Sequence, residues 1–177
     1  KIAMVTGAGT GVGRRVSEIL SKEGIIVYLI GRRKEKLVET KKMCSGHTEV
    51  LQCDVSDPLA VENAFNILET NHGRIDVLFN NAGIGVPSQS IDEMPFENWK
   101  SVVDINLNGM FLCAKYAFAL MRKQSPQGGR IINNGSVSSV TPRPGSIPYT
   151  ATKHAVTGMT KTISLDGRKY DIACSQI

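Results

Sequence analysis

Short apolar segments alternate with longer amphipathic segments along the whole chain, and this alternation is the feature that most restricts its fold. Several of the apolar segments carry apolar residues on both faces, which is typical of a parallel sheet covered by helices on both sides. We therefore predict a doubly wound α/β fold with a mostly parallel sheet. The segments with strand character cover 2–5, 25–30, 49–53, 76–80, 130–134 and 171–177. The segments with helical periodicity cover 11–23, 34–44, 58–71, 96–122 and 149–168.

No internal repeat, low-complexity tract or linker divides the sequence, so we predict one domain over residues 1–177. The longest apolar runs have the length of strands and fall short of the roughly 20 residues that span a bilayer. The beginning of the sequence lacks the apolar core of a secretory signal. We therefore expect no membrane partner and a cytoplasmic location, or an organelle matrix if a presequence has been removed.

The four cysteines and the positive charge exclude other classes of protein. Cys44, Cys53, Cys113 and Cys174 show no CxxC spacing and no nearby cluster of ligands, which argues against a zinc site and against a disulfide framework. The net charge of +5 arises from 21 basic and 16 acidic residues. Its densest cluster, at 31–34, is better explained as part of a phosphate site, so we expect no nucleic-acid partner.

A glycine-rich segment stands where the first strand is expected to turn into the first helix. Its spacing is TGxxxGxG over residues 6–13. Residues without a Cβ atom let the backbone turn tightly, approach a pyrophosphate and pack the helix closely on the strand. The helix N-terminus then directs free N–H groups and its positive dipole end at the phosphates, whereas the alternative is a plain glycine-rich turn. The residues predicted to bind a dinucleotide here are Gly7, Gly9, Thr10, Gly11, Val12 and Gly13.

A basic pair follows the second strand, where a dinucleotide fold meets the adenosine ribose. An acidic residue at this point would accept a hydrogen bond from the 2′-hydroxyl group and select NAD. The sequence instead has Gly31 followed by Arg32 and Arg33, and guanidinium groups bind phosphate through bidentate, charge-assisted hydrogen bonds. We therefore predict a preference for NADP(H), with NAD(H) also accepted if the site discriminates poorly. The alternative is a solvated basic start to the second helix.

Two further segments follow strands at the same edge of the sheet, where ligands of such folds bind. Asp54 and Val55 come after the third strand, and the Asp54 carboxylate is a candidate acceptor for the adenine amino group. Asn81, Ala82 and Gly83 follow the fourth strand, where small residues let a cofactor ribose approach. A turn residue at the entry to a helix is the alternative for Asp54, and a plain Asx/Gly turn is the alternative for the second segment.

Tyr149 and Lys153 lie four residues apart on a predicted helix, so their side chains share one face. A phenol with its ordinary pKa is a poor base at neutral pH, but a neighbouring ammonium favours the phenolate and eases proton exchange with an alcohol or carbonyl. The spacing alone is weak evidence, because exposed Tyr and Lys residues often occur in this pattern.

Ser136 and Asn106 are the remaining candidates for catalysis. Ser136 closes the fifth strand, where a hydroxyl group can donate to a developing alkoxide. A turn serine is the alternative, and Ser138 and Ser139 compete for the role. Asn106 lies within a long helical stretch, where an amide is not a preferred residue. It is a candidate to hold a water molecule that links Lys153 to solvent, or else a satisfied polar residue at a helix bend.

These motifs occur together in the order and spacing of the short-chain dehydrogenases/reductases, and the sequence resembles that family over its whole length. The resemblance implies a Rossmann-like sheet with strand order 3-2-1-4-5-6. It also implies an NADP-dependent oxidoreductase that transfers a hydride between the nicotinamide and a carbonyl or secondary alcohol, without a metal. The matching segments are TGAGTGVG, the Asp54-Val55 pair, NNAG, the INL triplet around Asn106, Ser136 and YTATK.

The resemblance assigns a role to each catalytic candidate. Tyr149 would be the general acid/base, and Lys153 would favour its phenolate and bind the nicotinamide ribose. Ser136 would polarise the substrate oxygen, and Asn106 would organise the water of a proton relay. The three histidines match no site of the family and are interpreted as surface or helix residues; they are His47, His72 and His154.

The sequence ends within the expected sixth strand, at Ile177, whereas the family usually runs to about 250 residues, the size of one large α/β domain. We therefore expect a piece of a longer enzyme without the seventh strand and the segment that closes over the substrate. The alternative is a natural short form that binds NADP but has weak or absent activity and regulates another process. The loops 84–94 and 137–148 would border the substrate pocket, and by resemblance we expect a homodimer through 96–122.

Overall fold

The computed structural model describes residues 1–177 and contains one six-stranded sheet in which all strands are parallel. The strands are β1 (Ile2–Thr6), β2 (Ile26–Gly31), β3 (Thr48–Gln52), β4 (Val77–Asn80), β5 (Gly129–Asn133) and β6 (Ile172–Gln176). The α-helices are α1 (Gly11–Lys22), α2 (Lys34–Met43), α3 (Pro58–His72), α4 (Phe96–Val103), α5 (Met110–Lys123) and α6 (Ile147–Gly167).

The strand order is β3-β2-β1-β4-β5-β6, which confirms the predicted Rossmann-like sheet. The chain moves outward from β1 to β3, returns to place β4 beside β1, and then continues in the other direction. The order therefore reverses between β1 and β4. In open α/β sheets, ligands bind in the crevice outside the carboxyl ends of the strands at such a reversal.

Hydrophobic residues pack on both faces of the sheet because successive side chains of a strand point to opposite sides. On one side, Met4 and Leu78 belong to a core of 21 buried residues. On the other side, Val5 and Phe79 belong to a smaller core of six. All five residues of β1 are buried, which explains why the central strands read as continuous apolar runs.

Helix ends follow the turn residues that the sequence provides. Asp57 accepts a hydrogen bond from the Leu59 backbone N–H and caps α3, whose first residue is Pro58. Gly24, the second residue after α1, has a φ of +74°, a conformation that glycine adopts without steric cost. None of the helices combines the length and the apolar character that crossing a bilayer requires.

The prediction of one continuous helix over 96–122 was wrong in one respect. Residues Asp104–Gly109 form a π-helical turn between α4 and α5. Two tertiary contacts account for the wider turn: the Asn106 side chain bonds to the backbone of Ile84, and Gly109 lies so close to Val55 that a Cβ atom there would approach Val55 Cγ2 to 2.7 Å. Such π-turns often occur at functional sites.

Candidate active site

An open cleft of about 500 Å³ lies at the carboxyl edge of the sheet, beside the reversal in strand order. It combines residues from the ends of the strands with two residues of α6, and this volume is within the range of small-molecule and cofactor sites. Thirteen of the predicted site residues line it, and Gly11, Gly13, Ser136 and Asn106 do not. The predicted residues that line it are Gly7, Gly9, Thr10, Val12, Arg32, Arg33, Asp54, Val55, Asn81, Ala82, Gly83, Tyr149 and Lys153.

The glycine loop between β1 and α1 has no room for side chains at its two tightest points. Gly7 has a φ of +66°, and a Cβ atom on Gly13 would lie 2.3 Å from the Gly7 carbonyl oxygen. Gly13 therefore lets α1 pack against the loop, as predicted, although it does not itself line the cleft. Thr10 makes no side-chain cap and the first turn of α1 holds no acidic residue. Its first N–H groups are thus free to bind an anion.

A cluster of basic side chains borders the cleft beyond β2. Arg32 and Arg33 line the cleft together with Lys36 of α2. Lys36 Nζ donates to both carboxylate oxygens of Glu39, at 2.8 and 3.1 Å, and the pKa of Glu39 is lowered, chiefly by this hydrogen bond. Lys36 was not predicted as a site residue; its position in the first turn of α2 is the signal that indicates it.

Asp54 serves both the cleft and the turn before α3. Its Oδ1 accepts hydrogen bonds from the Ser56 N–H at 3.0 Å and from Ser56 Oγ at 2.7 Å, which is the ordinary turn role that the sequence left open. Its Oδ2 lies 4.0 Å from Arg32 Nη1 and stays accessible to a ligand. A carboxylate at this distance also offsets part of the positive charge of Arg32.

The segment after β4 is attached to β1 through the fully buried Thr6. Thr6 Oγ1 accepts hydrogen bonds from the N–H groups of Asn81 at 2.8 Å and Ala82 at 2.9 Å. Asn81 Nδ2 donates to the Thr6 carbonyl at 2.9 Å. Sequence reasoning placed Asn81, Ala82 and Gly83 at the site but missed Thr6, whose polar side chain at the end of a buried strand is the signal for this role.

Tyr149 and Lys153 line the same wall of the cleft, as their spacing predicted. Lys153 is only 5% exposed, and burial lowers its pKa. Its Nζ donates to the Asn134 carbonyl at 2.7 Å and lies 5.4 Å from the centroid of the Tyr149 ring. The structure therefore brings the ammonium group of Lys153 and the ring of Tyr149 together on the wall of the cleft.

Ser136 lies outside this cleft. It lines a separate depression with Val137, Thr157 and Gln176, and its Oγ accepts a hydrogen bond from the Ser138 N–H at 3.1 Å. Ser136 is therefore not among the residues that line the cleft with Tyr149. Because Ser136 follows β5 on a short loop, its spacing in sequence does not determine the direction of its hydroxyl group.

Asn106 is fully buried in the π-helical turn. Its Nδ2 donates to the Ile84 carbonyl at 2.9 Å, and its Oδ1 accepts from the Ile84 N–H at 2.8 Å. Both ends of the amide therefore hold the segment that follows Gly83. Asn106 is thus a polar residue with both ends of its amide hydrogen-bonded inside a helix bend. The sequence offered this as the alternative to a water-binding role.

The model of the short-chain dehydrogenase family matches residues 1–177. The 3beta-hydroxysteroid dehydrogenase of Mediterraneibacter gnavus is 38% identical over 180 residues and aligns with 100% of this chain and 64% of its own length. The meso-2,3-butanediol dehydrogenase of Serratia marcescens is 35% identical, aligning with 94% of this chain and 65% of its own length. The chain thus spans about two thirds of the length of these relatives.

Solved structures with a similar fold are also named as reductases. The crystal structure of levodione reductase matches with a TM-score of 0.95 at 29% identity, over 99% of this chain and 69% of that one. The 3-ketoacyl-(acyl-carrier-protein) reductase from Brucella melitensis, crystallised with NADH, matches with a TM-score of 0.94 at 26% identity, over 99% and 73%. Sequence, sheet order and the cleft therefore lead to the same conclusion, which is that the chain belongs to the short-chain dehydrogenase family.

Proposed function

We propose that this chain is one nucleotide-binding domain that holds NADP(H) in the cleft and exchanges a hydride between the nicotinamide and a carbonyl or secondary alcohol. The observation that carries the proposal is the presence of the glycine loop, Tyr149 and Lys153 on the walls of one cleft. The lack of space for a Cβ atom at Gly13 and the free N–H groups of α1 fit a pyrophosphate.

Tyr149 is the general acid/base of the proposed reaction. In carbonyl reduction its hydroxyl group donates a proton to the substrate oxygen, and in alcohol oxidation its phenolate accepts that proton. The buried ammonium of Lys153 stabilises the phenolate and binds the nicotinamide ribose. The bound nicotinamide supplies or accepts the hydride, so that the carbon and oxygen of the substrate gain or lose one hydride and one proton.

Ser136 and Asn106 take the supporting roles that the family resemblance implies. Asn106 organises a relay water from the π-helical turn, next to the segment that it fixes through Ile84. Ser136 polarises the substrate oxygen from the loop after β5, where it lines a depression together with Thr157 of α6. The loops on either side of the substrate position already touch, since the Gln89 N–H donates to the Gly145 carbonyl at 3.1 Å.

The basic border of the cleft supports NADP(H) over NAD(H). Arg32, Arg33 and Lys36 line the cleft after β2 and would bind a 2′-phosphate of the adenosine ribose, and Gly31 offers no acidic side chain to a 2′-hydroxyl group. Asp54 reduces this preference because it lies near Arg32. NAD(H) therefore binds as well, but more weakly.

The names of the relatives support a secondary alcohol or ketone as substrate, since hydroxysteroids and 2,3-butanediol are both secondary alcohols. Val137 and Val140, which follow Ser136, are 76% and 75% exposed. They provide an apolar surface for the part of the substrate beside the reacting carbon. We also propose a homodimer through 96–122, supported by Phe96 and Phe111, two exposed aromatic side chains on this region.

The test is NADPH oxidation with a panel of ketones by the unchanged chain, by Tyr149→Phe and by Tyr116→Phe. Tyr116 is a matched control, because it is also half-buried but stacks on Phe65 in the core, away from the cleft. We expect turnover that Tyr149→Phe abolishes and Tyr116→Phe retains. Equal activity in the two variants would contradict the role of Tyr149.

A second candidate function is binding of NADP(H) without catalysis, as a regulatory protein. The position of Ser136 outside the cleft favours it. Under this alternative, titration with NADPH gives saturable binding while no ketone or alcohol produces Tyr149-dependent turnover.

A further inference from the structure

Asn134 follows β5 at the carboxyl edge of the sheet and links three parts of the cleft. Its backbone N–H donates to the Asn80 carbonyl at 2.9 Å. Its Nδ2 donates to Asn81 Oδ1 at 2.8 Å. Its carbonyl accepts from Lys153 Nζ at 2.7 Å. One residue therefore contacts the end of β4, the segment after β4 and the helix that carries the catalytic pair.

The side chain of Asn81 extends these hydrogen bonds to the glycine loop. Its Nδ2 donates to the Thr6 carbonyl at 2.9 Å. The same Nδ2 lies so close to the loop that a Cβ atom on Gly7 or Gly13 would approach it to 2.9 or 2.7 Å. Because Asn134 donates to the Oδ1 end, it fixes which end of the Asn81 amide faces the loop.

We propose that Asn134 is a positioning residue: its side chain, held by Asn81, fixes the carbonyl that anchors the Lys153 ammonium and so couples the catalytic lysine to the glycine loop. The inference rests on the proposed function, because it takes Tyr149 and Lys153 to act as a pair. An aliphatic side chain at position 134 would leave the Asn81 Oδ1 without this donor and would remove the side-chain hydrogen bond that holds Asn134 against the segment after β4.

The electrostatic consequence concerns Lys153. Burial lowers its pKa and no neighbouring charge contributes, so the Asn134 carbonyl is the polar group that compensates its ammonium for lost water. Lys100 and Asp104 pair with each other on α4 and the π-helical turn. The other ionisable groups on α6, on the elements packed against it and on the loop before it are Glu97, Arg143, His154, Lys161, Asp166, Arg168, Lys169, Tyr170, Asp171 and Cys174.

The experiment compares Asn134→Leu with Asn71→Leu. Asn71 is a matched control because its Nδ2 also donates one side-chain hydrogen bond, to the Tyr28 hydroxyl at 3.2 Å, and it does not line the cleft. The first readout is the pH profile of kcat/KM for oxidation of a secondary alcohol with NADP. The second readout is the absorbance of the Tyr149 phenolate as a function of pH. It is obtained by subtracting the titration of the same variant with Tyr149→Phe added. This measurement needs no turnover.

We expect the ascending limb of the Asn134→Leu profile to move to higher pH by about half a unit or more, because a less fixed ammonium stabilises the phenolate less. Oxidation at pH 7 then falls about threefold or more and recovers at high pH, since the rate below the limb is proportional to the phenolate fraction. The phenolate of Tyr149 forms at correspondingly higher pH. Asn71→Leu changes neither readout.

Superimposable profiles, or a fall in rate by the same factor at every pH, would overturn the proposal and leave Asn134 a structural residue only. If the unchanged chain shows no Tyr149-dependent turnover, the proposed function fails, but the phenolate titration still decides: a shift confined to the Asn134 variant supports positioning, and no shift rejects it. If Asn134→Leu does not fold, Asn134→Ala is measured in the same way.

Discussion

Replacing Arg32 and Arg33 together with alanine is expected to weaken NADPH binding about 100-fold while NADH binding changes by about twofold or less. Both side chains line the cleft beyond β2. A hydrogen bond to a charged group contributes about 1.5–3 kcal/mol when it is protected from solvent. NADH lacks the 2′-phosphate, so it loses almost nothing when the guanidinium groups are removed.

Both arginines are exposed, which places each of them slightly below that range. The Arg32 side chain is 58% exposed, and its Nη1 lies 4.0 Å from Asp54 Oδ2, so solvent and this carboxylate reduce its attraction for phosphate. About 1.4 kcal/mol for each residue gives about 2.8 kcal/mol, which corresponds to two factors of ten in the dissociation constant. The effect should shrink as salt is raised from about 50 to 150 mM.

The assay is calorimetric or fluorescence titration of the double variant with NADPH and with NADH. Lys34→Ala is the matched control, because Lys34 is an exposed neighbouring cation that does not line the cleft. Loss of affinity by the same factor for both cofactors would refute the assignment of a 2′-phosphate site. A large effect of Lys34→Ala would show that general charge, and not these two side chains, attracts the cofactor.

Two further substitutions and one labelling experiment test the fold around the cleft. Gly13→Ala should abolish binding of both cofactors, because its Cβ atom would lie 2.3 Å from the Gly7 carbonyl oxygen; titration with NADPH checks this, and retained affinity would contradict the close packing of α1. Asp57→Ala should lower the free energy of unfolding by about 1 kcal/mol through loss of the cap on α3, as measured by urea denaturation, without changing cofactor affinity. In the folded chain Cys44 should react with a maleimide before the other three cysteines, which are buried; mass spectrometry after brief labelling shows the order.

Local patterns were sufficient to predict the fold and most of the cleft. The strands have strong β-branched runs, and turn residues such as Gly24 and Asp57 mark the ends of the helices where the structure has them. The TGxxxGxG spacing and the pair Tyr149 and Lys153 depend on short-range geometry. The structure accordingly places both on the walls of one cleft.

The features that sequence reasoning missed depend on contacts between distant segments. The π-helical turn arises where Asn106 meets Ile84 and Gly109 meets Val55; the periodicity of 96–122 does not signal it, and only the amide of Asn106 pointed to a bend as one alternative. The Ser136 hydroxyl turns toward Ser138 because of its loop. Asn134 gains its position from two segments far away in the chain.

Transfer of deuterium from NADPH labelled at C4 of the nicotinamide to a ketone tests the central claim most directly. Mass spectrometry of the alcohol product should find one deuterium on the carbinol carbon with the unchanged chain and none with Tyr149→Phe. NADPH binding in the same samples would show that both proteins are folded. Saturable binding without any labelled alcohol from a broad panel of ketones would contradict the account of this chain as a hydride-transferring enzyme.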